Sequence, residues 1–131
     1  MANNSKSAAV SHVGKVRSNN QDSGYAGQYL FVVADGMGGH AGGDIASAIA
    51  VKHIAEADRQ YTSPNDAEFA LQSALLSANS LLAETVFEHG ELTGMGTTVT
   101  GFLRVANQIA IAHIGDSRLY LFRDGILEQI T

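Results

Sequence analysis

Two hydrophobic periods divide the chain: over residues 43–90 apolar positions recur every three to four residues, and over residues 97–131 they fall in short β-like blocks. In the first region Ile45, Ile49 and His53 stand four apart beside Ala46, Ala50 and Ile54, which predicts a helix over residues 43–58 with a broad apolar face. Ser63-Pro64-Asn65-Asp66 breaks that pattern and supplies N-cap candidates. Leu71, Leu75, Ala78, Leu82 and Val86 then form one stripe of a second helix, with Gly90 as its terminator. Residues 97–105, 108–115, 118–123 and 126–131 read as four consecutive strands. Short turns at Ala106-Asn107, Asp116-Ser117 and Asp124-Gly125 would join them into an antiparallel meander.

Ahead of the helices, residues 1–7 are polar and expected to fray, residues 8–13 fit a short strand, and residues 14–27 read as a loop rich in Gly, Ser, Asn and Asp. Residues 28–35 form a strand around the run Tyr29-Leu30-Phe31-Val32-Val33-Ala34. Strands, two helices, then strands predict an α+β domain with helices packed on an antiparallel sheet, one domain over residues 1–131. The last strand reaches residue 131 without a cap or closing helix, the pattern expected of a domain truncated inside an element.

Composition narrows the functions. Hydrophobic residues make up 45% and charged residues 16%, an ordinary globular balance able to bury a core. A net charge of −5 with only 8 Lys and Arg disfavours nucleic acid as a partner, because phosphate-backbone contacts need a basic surface. The absence of cysteine removes disulfides, thiolate zinc sites and a cysteine-nucleophile phosphatase mechanism. Residues 1–10 carry no apolar leader and no later run has membrane-spanning length, so the expected location is cytoplasmic, with no membrane partner.

Four segments carry candidate chemistry. Asp35-Gly36-Met37-Gly38-Gly39-His40 follows the apolar strand directly and places a carboxylate beside glycines that let a cation or a phosphate approach the backbone closely. Taken alone, the segment is equally a strand followed by a flexible turn. Arg17-Ser18-Asn19-Asn20-Gln21-Asp22 offers a guanidinium suited to phosphate and a second carboxylate, or simply a solvated loop with an Asx turn. His113-Ile114-Gly115-Asp116-Ser117-Arg118 sets an aspartate at a junction between strands, and Gly94-Met95-Gly96-Thr97-Thr98 lets a strand start near the glycine loop. No Lys-Ser or Lys-Thr pair follows the glycines, which excludes a P-loop. Of the five histidines only His40 lies beside Asp35, where it could donate a proton.

Taken in order, these four segments resemble the metal-dependent protein Ser/Thr phosphatases of the type 2C or PPM family, most of all the prokaryotic ones, over nearly the whole chain from Val10 to Thr131. The resemblance implies a four-layer α/β/β/α sandwich and hydrolysis of phosphoserine or phosphothreonine by a water activated between two Mg²⁺ or Mn²⁺ ions. It implies that Asp35 bridges the ions, the Gly36 carbonyl binds one of them, and Asp22 contributes through water. It further implies that Arg17 holds the substrate phosphate, Asp116 belongs to a third, weaker metal site, and His40 sits where a general acid is argued to lie. The implied partners are phosphoproteins, the substrates of a Ser/Thr kinase. Family members complete the metal pair with two further aspartates downstream of the segment matching residues 126–131, so the chain by itself is expected to be inactive. A noncatalytic interaction module that keeps the fold is the alternative.

Overall fold

The computed structural model describes residues 5–39 and 42–131. Its elements are β1 (Asp22–Ala26), β2 (Leu30–Met37), α1 (Gly42–Ala55), α2 (Pro64–Glu88), β3 (Gly96–Thr97), β4 (Val99–Val105), β5 (Gln108–Ile114), β6 (Tyr120–Arg123) and β7 (Ile126–Gln129). An antiparallel five-stranded sheet has the order β1-β2-β4-β5, with β3 also on β2, and β6 and β7 form a separate two-stranded sheet. The α+β class holds.

Strand β2 explains the layering. Leu30, Val32, Ala34 and Gly36 are buried on one face, while Val33, Asp35 and Met37 are exposed on the other. This is the period-two pattern of a sheet covered on one side. The covered face meets α1 and α2 in a core that includes Leu30, Val32, Ile54, Leu71, Leu103 and Ala110. Helix α2 starts where the sequence places its cap: the Ser63 side chain accepts from the Asp66 amide at 3.2 Å, with Pro64 in the first turn. The buried face of α1 runs through Gly43, Ala46, Ser47, Ala50, Val51 and Ile54. Ala46, Ala50 and Ile54 of the expected face are thus buried, and Ile45, Ile49 and His53 flank them half-buried.

Several expectations are corrected. Residues 8–13 form no strand and are exposed throughout, with no neighbouring strand to pair them among the described residues. The expected fraying of residues 1–7 is tested only from Ser5 onward, and Ser5 accepts a hydrogen bond from Arg104. Within the expected loop, Asp22–Ala26 is strand β1, paired in register from Asp22↔Asp35 to Ala26↔Phe31. Its composition is turn-like, and the pairing decides its conformation. β2 continues past Asp35 to Met37 because Gly36 and Met37 pair with Thr97 and Gly96.

The meander is broken as well. β4 and β5 form a hairpin, and β6 and β7 form another in a different sheet, so the junction at Asp116-Ser117 is a longer connection over residues 115–119 and not a tight turn. The Asp124-Gly125 turn is as expected, with both residues at positive φ, 55° and 77°. That is the primed geometry whose twist matches a two-residue hairpin.

Candidate active site

The end of β2 is where the chemistry gathers. Asp22 and Asp35 are directly opposed across the β1–β2 pair. Their side chains share the uncovered face of the sheet. Burial, the neighbouring Asp35 charge and a hydrogen bond between the two carboxyls hold the Asp22 carboxyl above the usual carboxylate range, and Arg17 partly offsets this. Arg17, exposed in the loop ahead of β1, is thus near enough for its charge to act on Asp22.

Gly36 is fixed by contacts on both sides. A Cβ there would lie 2.0 Å from the Gly43 carbonyl oxygen and 2.7 Å from that of Gln21, so only glycine lets α1 start this close to the acid pair. The Gly36 amide donates to the Gln21 carbonyl at 3.1 Å. That same carbonyl accepts from the Ser47 hydroxyl at 2.7 Å, and Ser47 also meets the Ser23 hydroxyl at 2.9 Å. Ser47 is completely buried. It therefore ties α1 to β1 directly behind Asp22.

On the other side, the Asp35 amide donates to Thr98 Oγ1 at 3.0 Å, and the Thr98 amide donates to the Asp35 carbonyl at 2.9 Å. Thr98 Oγ1 lies 2.9 Å from Ser117 Oγ. Asp116 is thereby linked to Asp35 through its chain neighbour. Arg118 donates to the Tyr120 hydroxyl at 3.2 Å and lies close enough to Asp116 to feel its charge.

The structure thus brings Asp22, Asp35, Gly36 and Arg17 together and connects Asp116 to them at one remove. His40 lies outside the described residues. The supporting hydroxyls of Ser47, Thr98 and Ser117 escaped the sequence reading. For Ser47 a signal existed, since it stands at helical spacing between Gly43 and Val51 on the apolar face, where a polar residue must find a partner. Thr98 and Ser117 read only as a β-former and a turn residue.

The donors present are carboxylate and carbonyl oxygens, the set that Mg²⁺ and Mn²⁺ take, and the mutual repulsion of the acid pair is what a divalent cation would relieve. Among the described residues no three His, Asp or Glu side chains converge as a metal cluster. The chain accordingly fits such ions while supplying only part of an octahedral ligand shell.

Two opposed carboxylates thus stand at the end of a helix-backed sheet. The family model described as protein phosphatase 2C matches residues 11–131, and the chain belongs to that family, a family of Ser/Thr phosphatases. It is 47% identical over 124 residues to the serine/threonine protein phosphatase PstP of Mycobacterium tuberculosis, which covers 95% of this chain and 24% of that protein. It is 35% identical over 126 residues to the serine/threonine phosphatase stp of Listeria monocytogenes, covering 90% of this chain and 50% of that protein.

Among solved structures, that of M. tuberculosis PstP superposes with a TM-score of 0.91 at 46% identity, over 95% of this chain and 52% of that one. The PstP catalytic domain in complex with two manganese ions gives 0.89 at 45% identity, over 95% of this chain and 54% of that one. The chain therefore spans about a quarter to a half of the relatives it matches. The two antiparallel sheets and flanking helices are those of the phosphatase fold.

Proposed function

We propose that this chain supplies the amino-terminal half of the catalytic domain of a protein phosphatase that hydrolyses phosphoserine and phosphothreonine in the protein substrates of a Ser/Thr kinase. The observation that carries the reading is the opposed Asp22–Asp35 pair at the end of β2, in a chain of this family. Two Mg²⁺ or Mn²⁺ ions, with a third of lower affinity, would supply Lewis acidity that lowers the pKa of the attacking water. The relative crystallised with two manganese ions supports that number.

The chain's own residues take the remaining roles. Asp35 and the Gly36 carbonyl would be ligands of the ions, and Asp22 would hold ordered water at the same centre. Arg17 forks onto the phosphoryl oxygens and orients the phosphorus for in-line attack. His40 donates a proton to the departing serine or threonine oxygen. Asp116 belongs to the accessory ion, its loop tethered to the main site through Ser117 and Thr98.

Three oxygen donors are too few to hold two ions. The remaining ligands would come from polypeptide that covers the open face of the sheet, where the acid pair lies. Steady-state hydrolysis of a phosphothreonine peptide tests the reading, with the 131-residue chain compared against the same chain extended to the length of its relatives' catalytic domains. Turnover is expected only in the extended protein with Mn²⁺, and chelator should abolish it. In that protein Arg17→Ala should raise KM by roughly ten- to a hundredfold, equivalent to about 1–3 kcal/mol of charge-assisted binding. An unchanged KM with a lowered Tm would remove Arg17 from the site, and metal-independent turnover would remove the metals from the mechanism.

A further inference from the structure

We infer that Thr98 is a positioning residue for Asp35, and that its hydroxyl also couples the Asp116 loop to the acid pair; this rests on the assignment of Asp35 as a metal ligand. β3 and β4 continue one register on β2, from Met37↔Gly96 and Gly36↔Thr97 to Val33↔Thr100 and Leu30↔Leu103. Between them the pairing lapses at Asp35↔Thr98 and at Ala34↔Val99. In a regular antiparallel pair the Asp35 amide would donate to the Thr98 carbonyl. Here it donates to the Thr98 side chain at 3.0 Å, and the Thr98 carbonyl accepts from the Thr97 hydroxyl at 2.8 Å. Only the return bond, from the Thr98 amide to the Asp35 carbonyl at 2.9 Å, is the ordinary one.

A side-chain oxygen thus replaces a backbone acceptor at the residue whose carboxylate faces Asp22. Side-chain hydroxyls of Ser and Thr compete with ladders in this way and locally re-aim the strand. Thr98 is 6% exposed, so water does not readily take over the vacated role. Its hydroxyl still has capacity for one more partner, and at 2.9 Å that partner is Ser117 Oγ, next in sequence to Asp116. Any movement of the 115–119 connection therefore acts on the hydroxyl that fixes the Asp35 peptide. Ligand-orienting contacts of this kind commonly change metal affinity about ten- to a hundredfold when removed.

The test uses the chain extended to the length of its relatives' catalytic domains with Thr98→Val, which keeps the β-branched shape and removes the hydroxyl, and Thr98→Ser, which keeps the hydroxyl and removes the methyl. Amide hydrogen exchange is followed by NMR without metal, with the Val33 amide of the next hydrogen-bonded pair as internal reference. Mn²⁺ binding is then followed by paramagnetic broadening of the amides around residue 35.

Thr98→Val is expected to speed exchange at Asp35 at least tenfold relative to Val33, and to weaken Mn²⁺ binding severalfold. Thr98→Ser should stay within about twofold of wild type in both. Asp35 exchange unchanged in Thr98→Val, or the same loss in Thr98→Ser as in Thr98→Val, would overturn the inference and leave Thr98 as a packing residue. Asp35→Asn serves as control: if it broadens with Mn²⁺ as wild type does, the metal assignment of Asp35 fails, and the exchange data still decide whether Thr98 fixes the Asp35 peptide.

Discussion

Asp22 and Asp35 illustrate a conflict between folding and binding within a single cross-strand pair. Like charges directly opposite each other on antiparallel strands are destabilising, and the Asp22 pKa is raised first by burial and then by the Asp35 charge. The folded chain binds the Asp22 proton more tightly than the unfolded chain, so this group's contribution to stability falls as pH rises from below the unfolded value of 3.8 through the higher folded value. At neutral pH the penalty is fully present. Asp22→Asn should therefore stabilise the metal-free chain at pH 7, by about 0.2–1 kcal/mol given the solvent exposure of the pair, and the gain should vanish near pH 3. Urea unfolding in chelator at the two pH values measures this; a destabilised variant at pH 7 would show that the pair does not repel. Excess Mn²⁺ should reverse the order, favouring the wild type. Asp35 and Asp116 stand out in the sequence as carboxylates beside glycines, and Asp22 and Arg17 as charged residues of a polar segment; that Asp22 lies opposite Asp35 is a result of strand pairing. The hydroxyls that hold them were silent, since Thr98 and Ser117 acquire their roles only when strands distant in sequence are brought together.

At the scale of elements, the β1–β2 hairpin sets the register that opposes the two acids, and Asp58 closes its turn. One Asp58 oxygen accepts from the Tyr25 hydroxyl at 2.5 Å and the Gln28 amide at 3.1 Å, and the other from the amides of Tyr29 and Leu30 at 2.9 and 3.1 Å. Burial pushes this carboxyl upward, but the hydrogen bonds from Tyr25 and the three amides outweigh it and hold the group below the usual range. A depressed folded value means that the contribution is present above the unfolded value of 3.8 and is lost as pH falls through the folded one. Asp58→Ala should cost about 1.5–3 kcal/mol at pH 7, as charge-assisted bonds do, and should lose most of that effect in strong acid. Chemical denaturation of both proteins across pH 2–7 checks it, and a pH-independent difference would mean that Asp58 acts by packing. This clamp explains why β1 was illegible in the sequence. Asp22-Ser23-Gly24-Tyr25-Ala26 has the composition of a loop, and a carboxylate more than thirty residues downstream holds it as a strand. The helices were legible because their period and caps are local. The broken meander was not, because separate hairpins and a continuous sheet have the same alternation.

Across the whole molecule, the sheet face opposite the helices is open and apolar. Val33, Ile109 and Ile111 on it are 52%, 47% and 40% exposed, and the rings of Phe31 and Phe102 stack there at 5.0 Å. The β6–β7 hairpin is more exposed still, with Phe122 at 70%, Ile126 at 68% and Leu127 at 64%. Contiguous apolar surface on this scale marks an interface, and in a two-sheet fold the natural occupant is the second sheet. Because Asp22 and Asp35 stand at the end of the same face, polypeptide that buries Val33 and Ile111 also reaches the acid pair. On the proposed reading, covering the sheet and completing the metal ligands would be one event. The 131-residue chain should bind a hydrophobic dye such as ANS and self-associate at micromolar concentration, whereas the chain extended to its relatives' catalytic length should do neither. Val33→Asp separates the two forms further: in the short chain it should reduce dye binding and association with little loss of stability, and in the extended protein it should bury a charge, lower Tm and weaken Mn²⁺ binding together. Analytical ultracentrifugation, dye fluorescence and a thermal melt with and without Mn²⁺ measure these effects. If Val33→Asp leaves the extended protein's Tm and Mn²⁺ affinity unchanged, the open face is not where the site is completed.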